Sequence, residues 1–216
     1  MGRAVDWSLY LVTDRPLCLG RSVEQIVLEA VAGGVTAVQL REKECSTREF
    51  VALARGLKKL LAPRGVPLLI NDRVDVALAA GADGVHIGQS DMAYQDARVL
   101  LGAHALIGLS VETPEQAAEA ETCDCDYLGV GPIFPTATKS DVAPAWGLDR
   151  LAGLRKTSRH RLVAIGGINA SNAALVAATG ADGIAVVSAI CSAPDARAAA
   201  AHLFGIIEDA RVRNSR

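Results

Sequence analysis

AAGADGVHIGQ (79–89) and AATGADGIAVVS (177–188) are two copies of one pattern, and AVAGGVTAVQL (30–40) is a looser third. Each copy runs as an alanine-rich helix, halts at glycine and resumes as a short apolar strand. Glycine after a last helical turn supplies the left-handed conformation that ends a helix, so the halt has a mechanism. The repeated piece is the helix-to-strand half of a βα unit.

Strands of the same kind are expected at LYLVT (9–13), AVQLR (37–41), PLLIN (67–71), GVHIG (84–88), LIGLS (106–110), YLGVG (127–131), RLVAIG (161–166) and GIAVVS (183–188), eight in all. Helical stretches such as SVEQIVLEAVAGG, TREFVALARGLKKLLAPRG, DVALAAG, PEQAAEAET, LDRLAGLRK and SNAALVAATG lie between them, and DARAAAAHLFGIIEDARVR closes the chain. Strict alternation with near-continuous apolar strands implies a parallel sheet buried on both faces. Eight units that leave no strand unpaired favour an α/β fold of the closed (β/α)8 type, a single TIM barrel over residues 1–216, rather than an open sheet. At 216 residues it is smaller than the usual barrel of about 250. The connection PIFPTATKSDVAPAWG (132–147) is the longest and reads as a functional loop.

Composition narrows the class of activity. Half of the residues are hydrophobic and 4% are aromatic, so the core is expected to be built from Val, Ile, Leu and Ala. A net charge of -2, with no basic stripe and no cationic amphipathic helix, speaks against nucleic acid and membrane partners. The five cysteines are odd in number and irregular in spacing, which does not read as a disulfide framework. With no signal-like start and no apolar run of bilayer length, a cytoplasmic protein is expected. Homo-oligomer formation is left open.

Active residues of such a barrel belong at the C-terminal ends of strands and in the loops that follow. Gln39, Arg41 and Lys43 share one parity at the end of the second strand, whereas Leu40, Glu42 and Glu44 share the other. The glutamates are expected to orient and balance the cations. Asn71 and Asp72 end the third strand, Gln89 and Asp91 follow the fourth, and Ser110 ends the fifth. Thr136, Thr138 and Lys139 follow the sixth, Gly166 and Gly167 the seventh, and Ser188 the eighth. Asp83, Asp126 and Asp182 precede strands and read as turn residues bonded to nearby backbone amides. His86 either lines the pocket or is a hydrogen-bonded core histidine.

Arg41, Lys43 and Lys139 offer enough positive charge on one rim for a diphosphate. Asp72 and Asp91 suit Mg2+, which takes one or two carboxylates beside phosphate oxygens. A general acid–base pair is the alternative, disfavoured because neighbouring cations would keep both carboxylates ionised. IGGI (165–168) and VVSAI (186–190) supply glycine and backbone amides where many barrels hold a phosphate monoester. Two anion sites, for two phosphorylated substrates or one long one, are thus expected around one mouth.

The segments VQLREKE, LLINDRVDVALAAGADGVHIGQSDM, GPIFPTATK, AIGGI and GADGIAVVSAI, in this order from about residue 9 to about residue 190, resemble the thiamine-phosphate synthase family. The resemblance implies a Mg2+-dependent transferase on a (β/α)8 barrel that joins a pyrimidine diphosphate to a thiazole phosphate. It implies that Gln39, Leu40, Arg41, Glu42, Lys43, Asn71, Ser110 and Lys139 bind the pyrimidine diphosphate. Arg41, Lys43 and Lys139 would stabilise the departing pyrophosphate, and Asp72 and Asp91 would hold the metal. Thr136, Ala137, Thr138, Gly167, Val187 and Ser188 would hold the thiazole phosphate. A thiazole tautomerase on the same barrel is the alternative within the resemblance, but the histidine often found two residues beyond the serine is Glu112 here. A barrel that binds thiazole phosphate without catalysis is the second alternative.

Overall fold

The computed structural model describes residues 5–136 and 144–214. Eight strands alternate with helices. In chain order they are β1 (Leu9–Val12), α1 (Val23–Ala32), β2 (Ala37–Leu40), α2 (Thr47–Leu61), β3 (Leu68–Asn71), α3 (Val74–Ala80), β4 (Gly84–Ile87) and α4 (Tyr94–Leu101). Then follow β5 (Leu106–Val111), α5 (Pro114–Ala120), β6 (Tyr127–Val130), α6 (Gly147–Thr157), β7 (Arg161–Ile165), α7 (Ala173–Ala178), β8 (Gly183–Val186), α8 (Ser188–Cys191) and α9 (Ala196–Asn214). All neighbouring strands are parallel, and β1 pairs with β8 through Tyr10 and Ala185, which closes the barrel.

Strand parity divides the apolar residues into two layers. Leu9, Leu11, Val38, Leu40, Val85 and Ile87 face outward and pack with the helices. Tyr10, Val12, Ala37, Leu69, Tyr127, Val163 and Ala185 face inward, with Trp7 beneath them. The expectation of an aliphatic core holds for the outer layer. Inside the barrel it fails, because Trp7, Tyr10 and Tyr127 pack there in tilted and edge-on pairs with ring centroids 4.4 to 5.7 Å apart. Few layers fit within four-residue strands, so large rings fill the axis.

Gly81 ends α3 in the left-handed conformation read from the repeat. The residue before each even-numbered strand has a further role. Thr36 Oγ1 accepts from Leu9 N at 3.1 Å, Asp83 from Leu68 N at 2.8 Å, Asp126 from Ile107 N at 2.7 Å and Asp182 from Leu162 N at 2.9 Å. The aspartates are structural, as expected, but the amides that donate to them lie at the start of the preceding strand and not in their own turns. Lys58, Arg98 and Arg155 face Asp83, Asp126 and Asp182. These four clamps fasten the N-terminal end of the barrel and leave the other end for the loops.

Helix α4 was not among the stretches expected from sequence. Ala93 caps it without a side-chain hydrogen bond, and its fully buried face is Ala97 alone, so neither capping nor periodicity announces it. No helix among the described residues is long and apolar enough to cross a membrane.

Candidate active site

A cavity of about 910 Å³ opens at the C-terminal ends of the strands. Gln39 is buried on its floor. The parity of 37–44 continues past the strand end, so Arg41 and Lys43 also face the cavity. Leu40 and Glu42 do not line it: Leu40 is fully buried in the outer layer, and Glu42 takes a bidentate pair from Arg15 at 3.0 and 2.9 Å. The expectation that Glu42 balances the neighbouring cations is therefore corrected. Side chains of adjacent strand residues point apart, and Glu42 meets a residue of the first loop instead.

The carboxylates that do balance the cations come from other strands. Arg41 donates to Asp14 Oδ2 at 2.6 Å, and its backbone N–H donates to Thr13 Oγ1 at 3.0 Å. Lys43 Nζ lies 2.7 Å from Asp72 Oδ2. Asp72 has φ of 63°, a left-handed conformation that aspartate tolerates better than most residues. Its N–H is fixed to His86 O at 2.8 Å, which aims the carboxylate at the mouth.

Asp72 and Asp91 influence one another across the rim, and their carboxyls move in opposite directions. Burial opposes ionisation of Asp72, but the bond to Lys43, the neighbouring Asp91 and the charge of Lys43 together outweigh it and lower the carboxyl below its ordinary value. Asp91 is raised by burial and by the charge of Asp72, against the hydrogen bond from Gly88 N at 2.7 Å. The neighbouring cations thus act unequally on the two carboxyls expected to be held ionised together. Lys43 bonds the one, and Asp91 faces a like charge.

Asn71, Gln89 and Ser110 line the same side, with Gln89 Nε2 donating to Ser110 O at 2.6 Å. Across the cavity, Gly166 and Gly167 follow β7, and Val187 and Ser188 follow β8. Ser188 opens the short helix α8, the element that many barrels use for phosphate. Asn172 Nδ2 donates to Gly167 O at 2.9 Å and fixes the first of these loops. Beyond β6, Ile133 N and Phe134 N continue the pairing to Ile165 O and Gly166 O, which carries Thr136 to the same wall. Ala137, Thr138 and Lys139 lie outside the described residues.

Some cavity residues carried no assigned role from sequence. Asp14 has its partner 27 positions away, a relation that no periodic signal encodes. His86 lines the cavity and is also a hydrogen-bonded interior histidine, so both alternatives apply at once. Glu112 reaches the cavity too, while its carbonyl accepts from Trp146 Nε1 at 2.7 Å.

Comparison with known proteins bears on this mouth. Residues 9–190 match the family model described as thiamine monophosphate synthase. The chain is 55% identical over 200 residues to a thiamine-phosphate synthase of Albidiferax ferrireducens, covering 93% of this chain and 91% of that one. A thiamine-phosphate synthase of Syntrophomonas wolfei is 54% identical over 203 residues, covering 94% and 97%. Among solved structures, a thiamine phosphate pyrophosphorylase from Pyrococcus furiosus superposes with a TM-score of 0.88 at 41% identity, covering 95% of this chain and 97% of that one.

Proposed function

The chain belongs to the thiamine monophosphate synthase family, and from that membership we infer that it is a transferase acting on small phosphorylated substrates. It joins 4-amino-2-methyl-5-hydroxymethylpyrimidine diphosphate to 4-methyl-5-(2-phosphoethyl)thiazole, releasing pyrophosphate and forming thiamine phosphate. The observation that carries the reading is that a cationic, carboxylate-bearing arc faces an amide-rich arc across one cavity. Each arc suits one phosphorylated substrate.

On this reading the bond from the exocyclic methylene to the diphosphate oxygen breaks, and its electron pair leaves with pyrophosphate. The aminopyrimidine delocalises the positive charge. The thiazole nitrogen then donates its lone pair to the methylene carbon, so no general base is needed. Arg41, Lys43 and Lys139 stabilise the charge that develops on the leaving group, and Gln39, Asn71 and Ser110 hold the pyrimidine diphosphate. Thr136, Ala137, Thr138, Gly167, Val187 and Ser188 hold the thiazole phosphate, so that its nitrogen is positioned before the cation can meet water. Leu40 and Glu42 serve by fixing the backbone between Arg41 and its neighbours, since neither side chain reaches the cavity.

Asp72 and Asp91 fit Mg2+ by donor chemistry. Two adjoining carboxylates, one of them raised by the other's charge, are relieved by a hard cation, and Mg2+ takes such a pair beside phosphate oxygens and water. When bound, the ion would neutralise charge on the diphosphate. A cytoplasmic location is supported by five cysteines without a disulfide.

The test is to mix both substrates with Mg2+ and follow pyrophosphate. Release that requires both substrates is the expected result. Folded protein that binds thiazole phosphate but releases no pyrophosphate would overturn the synthase reading in favour of a binding barrel. Isomerisation of a thiazole phosphate without pyrophosphate release would instead mark a tautomerase.

A further inference from the structure

Five side chains form a continuous hydrogen-bonded line across the barrel interior, along the floor of the cavity. Gln39 Nε2 donates to the Tyr10 hydroxyl at 3.1 Å, and the hydroxyls of Tyr10 and Tyr127 are 2.9 Å apart. The Tyr127 hydroxyl is 2.8 Å from His86 Nδ1, and His86 Nε2 is 2.8 Å from Ser110 Oγ. Neighbouring strands leave room for the two rings at the middle of the line. A Cβ at Gly108 would lie 2.1 Å from Tyr127 Cζ, and one at Gly129 would lie 2.8 Å from His86 Cε1.

The line has a direction. An amide nitrogen only donates, and each phenol carries a single proton. Burial holds both phenols above their ordinary range, so both keep that proton. With Gln39 donating to Tyr10, the Tyr10 proton goes to Tyr127 and the Tyr127 proton goes to His86 Nδ1. The imidazole is then neutral with its proton on Nε2, and that proton is donated to Ser110 Oγ. Having accepted from His86, Ser110 turns its own hydroxyl proton into the cavity that it lines.

We propose that His86, backed by Tyr127 and Tyr10, is a positioning residue that sets Ser110 as a hydrogen-bond donor toward an acceptor atom of the pyrimidine diphosphate. The site therefore selects for a substrate with a lone pair at that place. This rests on the assignment of Ser110 to the pyrimidine diphosphate, and it adds a role for three residues of the cavity floor.

The tautomer can be read without substrate. Nitrogen-15 NMR of histidine-labelled protein is expected to show His86 protonated on Nε2 only, and Tyr127→Phe, which removes the donor to Nδ1, is expected to show both tautomers. A proton on Nδ1 in the unaltered protein would mean that the line runs the other way and would overturn the proposal, as would a Tyr127→Phe spectrum with an unchanged tautomer. The second measurement is calorimetric binding of pyrimidine diphosphate. Gln at position 86 places an amide donor where Nε2 was, whereas the shorter Asn reaches only the Nδ1 position. His86→Gln is thus expected to keep affinity within about twofold, and His86→Asn to lose about five- to tenfold, the worth of one hydrogen bond. Equal losses would reduce His86 to a filler of space and overturn the proposal. Failure of the assigned reaction has a different signature, the absence of pyrophosphate release from unaltered protein with both substrates.

Discussion

At the scale of single residues, the roles proposed for Asp91 and Lys139 are ones that substitution separates. Asp91→Asn removes the carboxylate that Asp72 raises, and the Mg2+ concentration for half-maximal turnover is expected to rise on the order of 10-fold. A Mg2+ titration of the rate measures it, and an unchanged midpoint would take Asp91 out of the metal site. Lys139→Ala is expected to slow turnover by about 10²–10³ while thiazole phosphate binding, followed by calorimetry, stays nearly constant. Equal losses in both would contradict its place on the diphosphate side. Arg41, Lys43, Asp72 and Asp91 were legible in the sequence because strand ends in a barrel share one rim and side-chain parity selects the face. The partners of the charges were not. Asp14 for Arg41 and Arg15 for Glu42 both lie 27 residues away, where only the pairing of β1 with β2 brings them into reach.

Among the elements, the clamps carry the clearest energetic consequence. Asp83→Ala leaves the Leu68 amide without its acceptor and Lys58 without its carboxylate, which is expected to cost about 2–3 kcal/mol in urea unfolding. A loss under about 0.5 kcal/mol, the scale of ordinary surface changes, would make the clamp ornamental. Glu121, at the end of α5, ties two helices together. It accepts from Ser158 Oγ at the end of α6 and from Arg159 N at 3.2 Å. Burial raises its carboxyl, and these hydrogen bonds more than offset the rise, so it titrates below the ordinary 4.5. A carboxyl lowered in the folded state adds stability that is present above the unfolded value and lost as pH falls through the folded one. Glu121→Gln is thus expected to be less stable by about 1 kcal/mol at pH 7, with the difference closing below pH 4 or so. A gap that urea unfolding finds constant with pH would contradict this. Elements announced by repeat and cap, such as α3 and its Gly81, were legible, whereas α4 has no capping side chain and only one fully buried residue to announce it.

For the whole molecule, closure of β8 onto β1 leaves the sheet no free edge and wraps the outer layer continuously around it. Residues 1–216 are therefore expected to unfold as one domain, in a single calorimetric transition whose measured enthalpy equals its van't Hoff enthalpy. Two resolved transitions would refute that. Stability and chemistry occupy opposite ends of the same strands: the clamps hold the N-terminal rim, and the cavity opens at the C-terminal rim. That separation lets the loops differ without loosening the frame.

The clamps also mark where the frame can be divided. Each one spans a consecutive odd–even strand pair, Leu9 with Thr36, Leu68 with Asp83, Ile107 with Asp126 and Leu162 with Asp182. None reaches from one pair to the next. A seam between β4 and α4 cuts no clamp, keeps Arg98 of α4 with its partner Asp126 and leaves two clamps on each side, so a half barrel exchanged with a relative would arrive with its own fastenings already in place. The quarter, a pair of strands with its helices, is the smallest piece that keeps a clamp whole, whereas the mouth is shared between the halves, with Arg41, Lys43, Asp72 and Asp91 on one and Ser110 and Ser188 on the other.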